Sequence, residues 1–270
     1  MTTQHYENFP VASFLFPRKL RKPVNLIYAF ARQADDFADE GELDPSQRLE
    51  LLNGFRVELD KISSGKIPDT PLFREMAAMT TQFRLPLEPF YELLDAFSQD
   101  VVKKRYANFA EVMQYCRRSA NPVGRLLLHL YGTADRRNLA YSDAICSSLQ
   151  LINFLQDVAI DFKKDRIYLP QDEMAKYKIT ESQIARGDNS GMWEMFMLSQ
   201  IERARKLLQA GAPLGKILPG RIGLEMRMII MGGESILRKL HKSSGNVFHQ
   251  RPVLNAGDWA YMLYRSIRAK

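Results

Sequence analysis

Apolar residues recur three and four positions apart along most of this 270-residue chain. That spacing places them on one face of an α-helix. It is clearest in the segments EPFYELLDAFSQDVVKK, NFAEVMQYCRRSA and SDAICSSLQLINFLQDVAIDFKK. No segment alternates apolar and polar residues as a half-buried strand does, and the sequence has no internal repeat. The pattern predicts an all-α protein.

Local signals indicate where some of these helices begin. Asp44-Pro45 and Thr70-Pro71 each combine a residue suited to capping a helix with a proline suited to the first turn. Pro122 instead falls inside an apolar helical run, so we expect a kink there. Carbonyl groups freed by such a kink could line a polar cavity and orient a water molecule.

Composition limits the classes of protein to consider. With 46% hydrophobic residues the chain can bury a large core, and residues 1–270 are predicted to form one domain. Cys116 and Cys146 fit neither a disulfide framework nor a metal site, which favours a reducing cytoplasm. No secretion signal and no run of about 18 apolar residues is present. We expect a cytoplasmic protein, at most peripheral at the inner face of the membrane.

The net charge of +7 favours anionic partners. The basic residues are scattered in short groups such as RKLRK and RKLHK, without interleaved aromatic residues or a zinc or RNA-recognition motif. Nucleic acid is therefore not expected as a partner. A phosphorylated substrate or an anionic membrane surface accounts for the charge equally well.

Candidate chemistry lies in two acidic clusters. Each contains two aspartates four residues apart, accompanied on the same predicted helix face by other polar side chains. The two faces, which span roughly 60° and 80° of a helix, carry Tyr28, Arg32, Asp35 and Asp39 in the first cluster and Gln150, Asn153, Asp157 and Asp161 in the second.

Like charges at this spacing destabilise a helix unless a cation lies between them. A single such pair is most often a solvated helix face, but two pairs with matching surroundings favour a metal site. Mg²⁺ binds through a few carboxylates together with substrate phosphates. Two facing helices of this kind could hold a diphosphate through bridging Mg²⁺ ions and stabilise the charge that develops as it leaves. Their apolar faces could shelter a carbocation.

These segments resemble a known family. YAFARQADDFADE and QLINFLQDVAID are similar to the two aspartate-rich motifs of the squalene and phytoene synthase family, and DRIYLP is similar to its arginine and tyrosine segment. The resemblance extends from Phe9 to about Leu240. It implies an isoprenoid-synthase helical bundle with a central cavity, and Mg²⁺-dependent chemistry on prenyl diphosphates.

The resemblance also implies roles for individual residues. The metal ligands would be Asp35, Asp39, Asp157 and Asp161, with Asn153 as a further candidate. Contacts to the diphosphate or the reacting carbons would come from Tyr28, Arg32, Gln150, Arg166 and Tyr168. Ser13 and Phe14 match an N-terminal flap of the family, although Pro10 stands where the family usually has a histidine.

Departures from the family pattern suggest a branch within it. Condensing members read N-I-L/I-R-D before the second motif, whereas this chain reads NFLQD with Gln156, and Ile160 stands where an acid is common. SANPVGRL replaces the usual A-G-T-V-G, after Arg117 and Arg118. With the segments ENFPVASFLFPRKLR and AGAPLGKILPGRIGLEMRMII, these features resemble members that ionise presqualene diphosphate and capture the rearranged cation with water.

Other functions remain open at this point. A condensing enzyme that makes presqualene diphosphate, squalene or phytoene would share both motifs. A reductive squalene synthase would need NADPH, and the absence of G-x-G-x-x-G does not exclude it, since reductive members of this family bind NADPH without a Rossmann domain. A non-catalytic scaffold is a further alternative, because a fold alone does not guarantee activity. Intact aspartates in both motifs argue against the scaffold.

Overall fold

The computed structural model describes residues 17–268, in which thirteen helices account for all the regular secondary structure. Their bounds are α1 (Arg18–Asp39), α2 (Pro45–Ser63), α3 (Pro71–Phe83), α4 (Glu88–Val102), α5 (Phe109–Ser119), α6 (Asn121–Tyr131), α7 (Arg136–Lys163), α8 (Gln171–Lys176), α9 (Glu181–Ala185), α10 (Trp193–Gly211), α11 (Leu214–Ile217), α12 (Gly220–Lys242) and α13 (Ala256–Arg268). Within this range the only β-type contact is an isolated parallel bridge between Arg105 and Ile167. The all-α prediction is confirmed.

Helix α2 begins where the sequence predicts. The Asp44 carboxylate accepts hydrogen bonds from the backbone N–H groups of Ser46, at 2.8 Å, and Gln47, at 3.0 Å. The Gln47 side chain in turn accepts from the Asp44 N–H at 3.1 Å. This reciprocal arrangement is a capping box, which satisfies N–H groups that the first helical turn leaves without partners.

Helix α3 also begins where the sequence predicts, with Thr70 at the N-cap position and Pro71 in the first turn. The Thr70 hydroxyl does not cap it, because it donates to the buried Glu58 carboxylate at 3.3 Å. The kink expected at Pro122 is wrong. Pro122 kinks nothing, because α5 ends before it and Pro122 lies in the first turn of α6, where its missing N–H is not needed. The start of α6 is held to α7 by the Ser147 hydroxyl, which donates to Asn121 at 2.9 Å.

Two apolar cores organise the helices. The first gathers buried side chains of α1 to α4 and α6, with the Phe30 ring 5.1 Å from Phe90 and 5.5 Å from Phe55 between ring centres. The second gathers side chains of α5, α7, α10 and α12, including the fully buried Trp193. Tyr131 packs against both. The aspartates of α1 and α7 therefore come from different cores.

Close packing fixes the long helix α7 against α10. The Ser148 hydroxyl donates to the Ala204 carbonyl at 2.7 Å. A Cβ atom at Gly211 would lie 2.5 Å from the Tyr141 carbonyl oxygen, so only glycine allows this approach. Within residues 17–268, no helix has the length and apolar content required to cross a membrane.

Candidate active site

The two aspartate clusters meet at one end of the molecule. Asp39, at the end of α1, accepts a hydrogen bond from Lys164 Nζ at 2.6 Å and lies 3.5 Å from Arg166 Nη1. Both cations follow directly after α7, so these contacts join the ends of the two helices. Burial raises the pKa of Asp161 and the charges of Arg166 and Lys164 oppose that rise, so acids of both clusters lie at this end of the molecule. That the two clusters face each other across a substrate stays a prediction.

Asp157, in the second cluster, has an arginine partner that the sequence reading missed. Arg251 Nε and Nη2 contact its two carboxylate oxygens at 2.5 and 3.1 Å, which is the paired geometry of strong arginine–carboxylate bonds. Arg251 lies in the segment between α12 and α13, 94 residues further along the chain. No local spacing in the sequence could have indicated this contact.

Gln156 explains how Arg251 reaches this position. The Gln156 side chain is 1% exposed, and its Nε2 donates to the Pro252 carbonyl at 2.6 Å. It therefore anchors the residue next to Arg251. The sequence reading treated Gln156 as a cation lost from the site. The structure shows that the amide holds a segment that brings another guanidinium to Asp157.

Nearby cations do not fully compensate the acids of either cluster, so ionisation of one aspartate in each is disfavoured. Burial, with the Asp39 charge beside it, raises the pKa of Asp35 to about 6, although Arg32 opposes the rise. Burial, with the Asp157 charge, raises the pKa of Asp161 to about 8, despite the opposing effect of Arg166. One buried oxygen of Asp39, Oδ1, has no hydrogen-bond partner. These features describe a site that an added cation would stabilise.

A divalent metal ion fits these residues only if a ligand completes its coordination. Among residues 17–268, no three Asp, Glu, His or Cys side chains are placed to hold a metal ion by themselves. Mg²⁺ commonly binds through one or two carboxylates, several waters and substrate phosphates, so a site of this kind does not require three. The roles of Asp35, Asp39, Asn153, Asp157 and Asp161 as metal ligands stay predictions.

The other predicted contacts are distributed along the same helices. On α1, Tyr28 is exposed, and Arg32 lies 3.5 Å from Asp35 and 2.5 Å from Asp36. On α7, Asn153 is exposed and Gln150 is half-buried. Ser13 and Phe14 lie outside the described residues.

Tyr168 belongs to a hydrogen-bonded group with Asp100 and Tyr115, two residues that the sequence did not single out. Its hydroxyl donates to Asp100 Oδ1 at 3.2 Å, and the Tyr115 hydroxyl donates to Asp100 Oδ2 at 2.6 Å. Asp100 is only 5% exposed. A signal was present, because Asp100 follows Leu93 by seven residues and Ala96 by four, which puts a charged residue on the apolar stripe of α4.

Comparison with known proteins shows which family the chain resembles. A family model described as squalene/phytoene synthase matches residues 2–258. A hydroxysqualene synthase from Rhodopseudomonas palustris is 34% identical over 240 residues, which cover 88% of this chain and 80% of that protein. One from Zymomonas mobilis is 34% identical over 239 residues, covering 87% and 79%. A phytoene synthase from Arthrospira platensis is 29% identical over 264 residues, covering 93% and 85%.

Solved structures agree as well. A squalene synthase from Alicyclobacillus acidocaldarius superposes with a TM-score of 0.82 at 33% identity, over 89% of this chain and 90% of that one. A dehydrosqualene synthase superposes with a TM-score of 0.83 at 20% identity, over 94% and 88%, which shows the fold alone. The chain belongs to the squalene/phytoene synthase family. It is an enzyme of that family and acts on prenyl diphosphates.

The charge at Asp161 gives a stability prediction. The folded carboxyl keeps its proton up to about pH 8, whereas the ordinary pKa is 3.8. Between pH 3.8 and about 8, unfolding releases this proton. The free energy of unfolding therefore falls as pH rises through that range. Asp161→Asn should remove this loss and raise the Tm of the Mg²⁺-free protein by roughly 2–4 °C or more above pH ~8.

Calorimetry across this pH range checks the prediction. The Tm gain of Asp161→Asn should shrink as pH falls toward the ordinary aspartate pKa. The Asp161 carboxyl is then neutral in both the folded and the unfolded wild-type protein. The exposed Glu50→Gln in α2 serves as a control for the removal of one charge and should leave the Tm nearly unchanged at every pH. A Tm gain for Asp161→Asn that does not depend on pH would contradict the argument.

Proposed function

We propose that this chain is a hydroxysqualene synthase of a bacterial hopanoid route. Presqualene diphosphate loses its diphosphate as the C–O bond breaks, the cyclopropylcarbinyl cation rearranges, and water adds to it. Water supplies the hydroxyl group of hydroxysqualene, and its second proton is released with the diphosphate. The observation that carries the proposal is that Arg166 and Lys164 pair with Asp39 of the first cluster and also act on the Asp161 carboxyl of the second. The hydroxysqualene synthases at 34% identity support this branch of the family.

Different residues of the chain would bind the metal, orient the diphosphate and exclude water. Mg²⁺, when bound by the two aspartate clusters, would supply charge neutralisation to the leaving diphosphate. Arg32, Lys164 and Arg166 would orient that group through charge-assisted hydrogen bonds. Apolar faces of α1 and α7 would keep bulk water away from the cation until it has rearranged. Gln150 and Tyr28 would contact the substrate from α7 and α1.

A condensing or reductive enzyme is the alternative within the family. This alternative is supported by the similarity to a squalene synthase at 33% identity and to a phytoene synthase at 29% identity. A condensing enzyme must bind two diphosphates and ionise one while the other waits. The sequence difference at Gln156 does not by itself decide between one diphosphate and two, because Arg251 supplies a guanidinium to Asp157 from another part of the chain. A scaffold without activity is less favoured, because both aspartate pairs are intact.

The decisive experiment supplies the purified protein with presqualene diphosphate or farnesyl diphosphate, each with Mg²⁺ and without reductant. We expect hydroxysqualene as the main product from presqualene diphosphate, with its oxygen derived from isotopically labelled water. Farnesyl diphosphate alone should turn over slowly or not at all. Adding NADPH should change neither the rate nor the product.

Two outcomes would reject this assignment. Squalene formed only with NADPH would identify a squalene synthase, and fast turnover of farnesyl diphosphate alone would identify a condensing enzyme. An absence of diphosphate release from every substrate, by a protein that is folded by circular dichroism, would favour the scaffold.

The metal proposal has a separate test in two binding-site variants. Asp39→Asn and Asp157→Asn should each lower kcat by about 100-fold or more, since each removes a charge that balances Mg²⁺ at the leaving group. They should also lose the rise in Tm that Mg²⁺ with inorganic diphosphate gives the wild-type protein. The matched control is Asp165→Asn, an exposed acid nearby that pairs with Arg105. Near-normal turnover of both variants would reject the two-cluster site.

We also propose that the enzyme works in the cytoplasm, peripherally at an anionic membrane surface that receives its apolar product. Helix α13 exposes an unusual set of large apolar side chains beside basic ones. The exposed fractions are 46% for Tyr261, 44% for Leu263, 51% for Tyr264 and 55% for Ile267, while Arg238 and Arg265 both lie over the Tyr261 ring. Aromatic, aliphatic and basic groups on one helix suit the lipid–water interface.

Vesicle sedimentation checks this placement. The wild-type protein should bind vesicles that contain phosphatidylglycerol more tightly than vesicles of phosphatidylcholine, and salt should weaken the binding. Leu263→Ser combined with Ile267→Ser should reduce binding by about tenfold, because two aliphatic side chains that would enter the lipid are lost. Ile67→Ser, at a lone apolar residue that is 81% exposed, is the control. Equal binding by the double variant would reject α13 as the contact.

A further inference from the structure

Asp100 is a buried carboxylate with two phenol donors. It lies in the last turn of α4, and it is 5% exposed. Tyr115, from α5, donates to one oxygen at 2.6 Å, and Tyr168, from the segment after α7, donates to the other at 3.2 Å. Three separate parts of the chain therefore converge on one carboxylate. Burial raises its pKa to about 6, so it is mainly ionised at neutral pH.

This carboxylate lies beside the proposed diphosphate site. Arg166 connects the two places, because its Nη1 is 3.5 Å from Asp39 and its Nη2 donates to the Asp100 backbone carbonyl at 3.4 Å. Lys104 Nζ donates to the same carbonyl at 2.8 Å. The backbone of Asp100 is thus separated from Asp39 by the width of a single guanidinium group. The Asp100 carboxylate is also near the two clusters, since its charge adds to the effect of burial in raising the pKa of both Asp35 and Asp161. A carbon that loses its diphosphate at the aspartates would become cationic close to Asp100.

Aromatic rings pack around Tyr168, one of the two phenol donors. The rings of Tyr168 and Phe154 are stacked 3.9 Å apart between centres, with 5° between their planes. The Tyr115 and Tyr106 rings lie 5.5 and 5.6 Å from that of Tyr168. The face of an aromatic ring carries negative charge and attracts cations, most strongly where water is excluded. A phenol that donates its proton toward a carboxylate has more electron density on its oxygen and ring, which strengthens this attraction.

We propose that Asp100 is a positioning residue that orients the hydroxyls of Tyr115 and Tyr168 and strengthens the attraction of their rings for the carbocation. The carboxylate acts through the two phenols and does not touch the substrate. The proposal rests on the proposed function only in requiring that a prenyl diphosphate ionises at this site.

The test compares Asp100→Asn with the wild-type protein. Asparagine keeps the size of the side chain, but it carries no charge and can accept on only one atom. We expect kcat to fall by about 10- to 100-fold, with a smaller change in KM. We also expect a larger share of unrearranged alcohol among the products, since a less stabilised cation is captured earlier. Near-ultraviolet absorption should lose the red shift that phenols show when they donate to a carboxylate.

A matched control shows whether the change in kcat and product ratio is specific to Asp100 or follows the loss of any tyrosine–aspartate hydrogen bond. On the protein surface, the Tyr91 hydroxyl donates to Asp60 Oδ1 at 2.6 Å, the same length as the bond from Tyr115 to Asp100. Asp60→Asn should change the tyrosine absorption in the same direction while leaving kcat and the product ratio unchanged. A purely structural role of Asp100 would instead lower the Tm without altering the product ratio.

A double-mutant cycle shows whether Asp100 acts through the phenols. Tyr115→Phe with Tyr168→Phe keeps the rings and removes the hydroxyls, and Asp100→Asn added to it should change the product ratio no further. If Asp100→Asn does not fold, the two single Phe variants take its place and should each increase the unrearranged alcohol. An unchanged product ratio overturns the inference. A wild-type protein that makes squalene or phytoene would reject the proposed function alone, because the effect of Asp100→Asn on kcat remains measurable with that substrate.

Discussion

The contact between Asp39 and the cations after α7 is the interaction on which the rest of the site depends. Asp39 Oδ2 lies 2.6 Å from Lys164 and 3.5 Å from Arg166, and it ties together helices that belong to different apolar cores. Without such cations, bringing the two acidic clusters together would be opposed by repulsion between like charges. The compensation is incomplete, since the pKa values of Asp35 and Asp161 remain raised. A cationic ligand at this end would therefore favour ionisation of these carboxyls and gain binding energy from it.

Polar groups continue inward from this end. Arg166 contacts both Asp39 and the Asp100 backbone, and the Asp100 side chain receives two phenol hydroxyls. Beyond them lie stacked aromatic rings and the second apolar core. Such an order, from charged groups through aromatic rings to an apolar wall, suits a substrate with an anionic head and a long hydrocarbon tail. It also suits a reaction in which the head leaves and a cation stays behind in apolar surroundings.

Some features could be predicted from sequence because they depend on neighbours along the chain. The helical class follows from apolar spacing, and the start of α2 follows from a cap whose donors and acceptors lie within three residues. The alignment of each aspartate pair on one helix face is likewise a consequence of helical geometry. The start of α3 at Thr70-Pro71 was also predicted, but the bond made by the Thr70 hydroxyl and the helix boundary at Pro122 were not, because both depend on how separate segments pack. A buried glutamate takes the hydroxyl of Thr70, and the turn before α6 makes a kink at Pro122 unnecessary.

The sequence by itself determined the helices, the two aspartate faces and the family, since all three are carried by local spacing and motif. Only the tertiary structure decided which charges meet. Arg251 reaches Asp157 across 94 positions because Gln156 holds the neighbouring Pro252 carbonyl, and no pattern within a helix encodes that contact. Asp100 likewise could be seen as an acid on an apolar stripe. Its two phenol partners became known only when three segments packed together, because burial makes an ionised carboxylate depend on hydrogen bonds from whatever the fold brings near it.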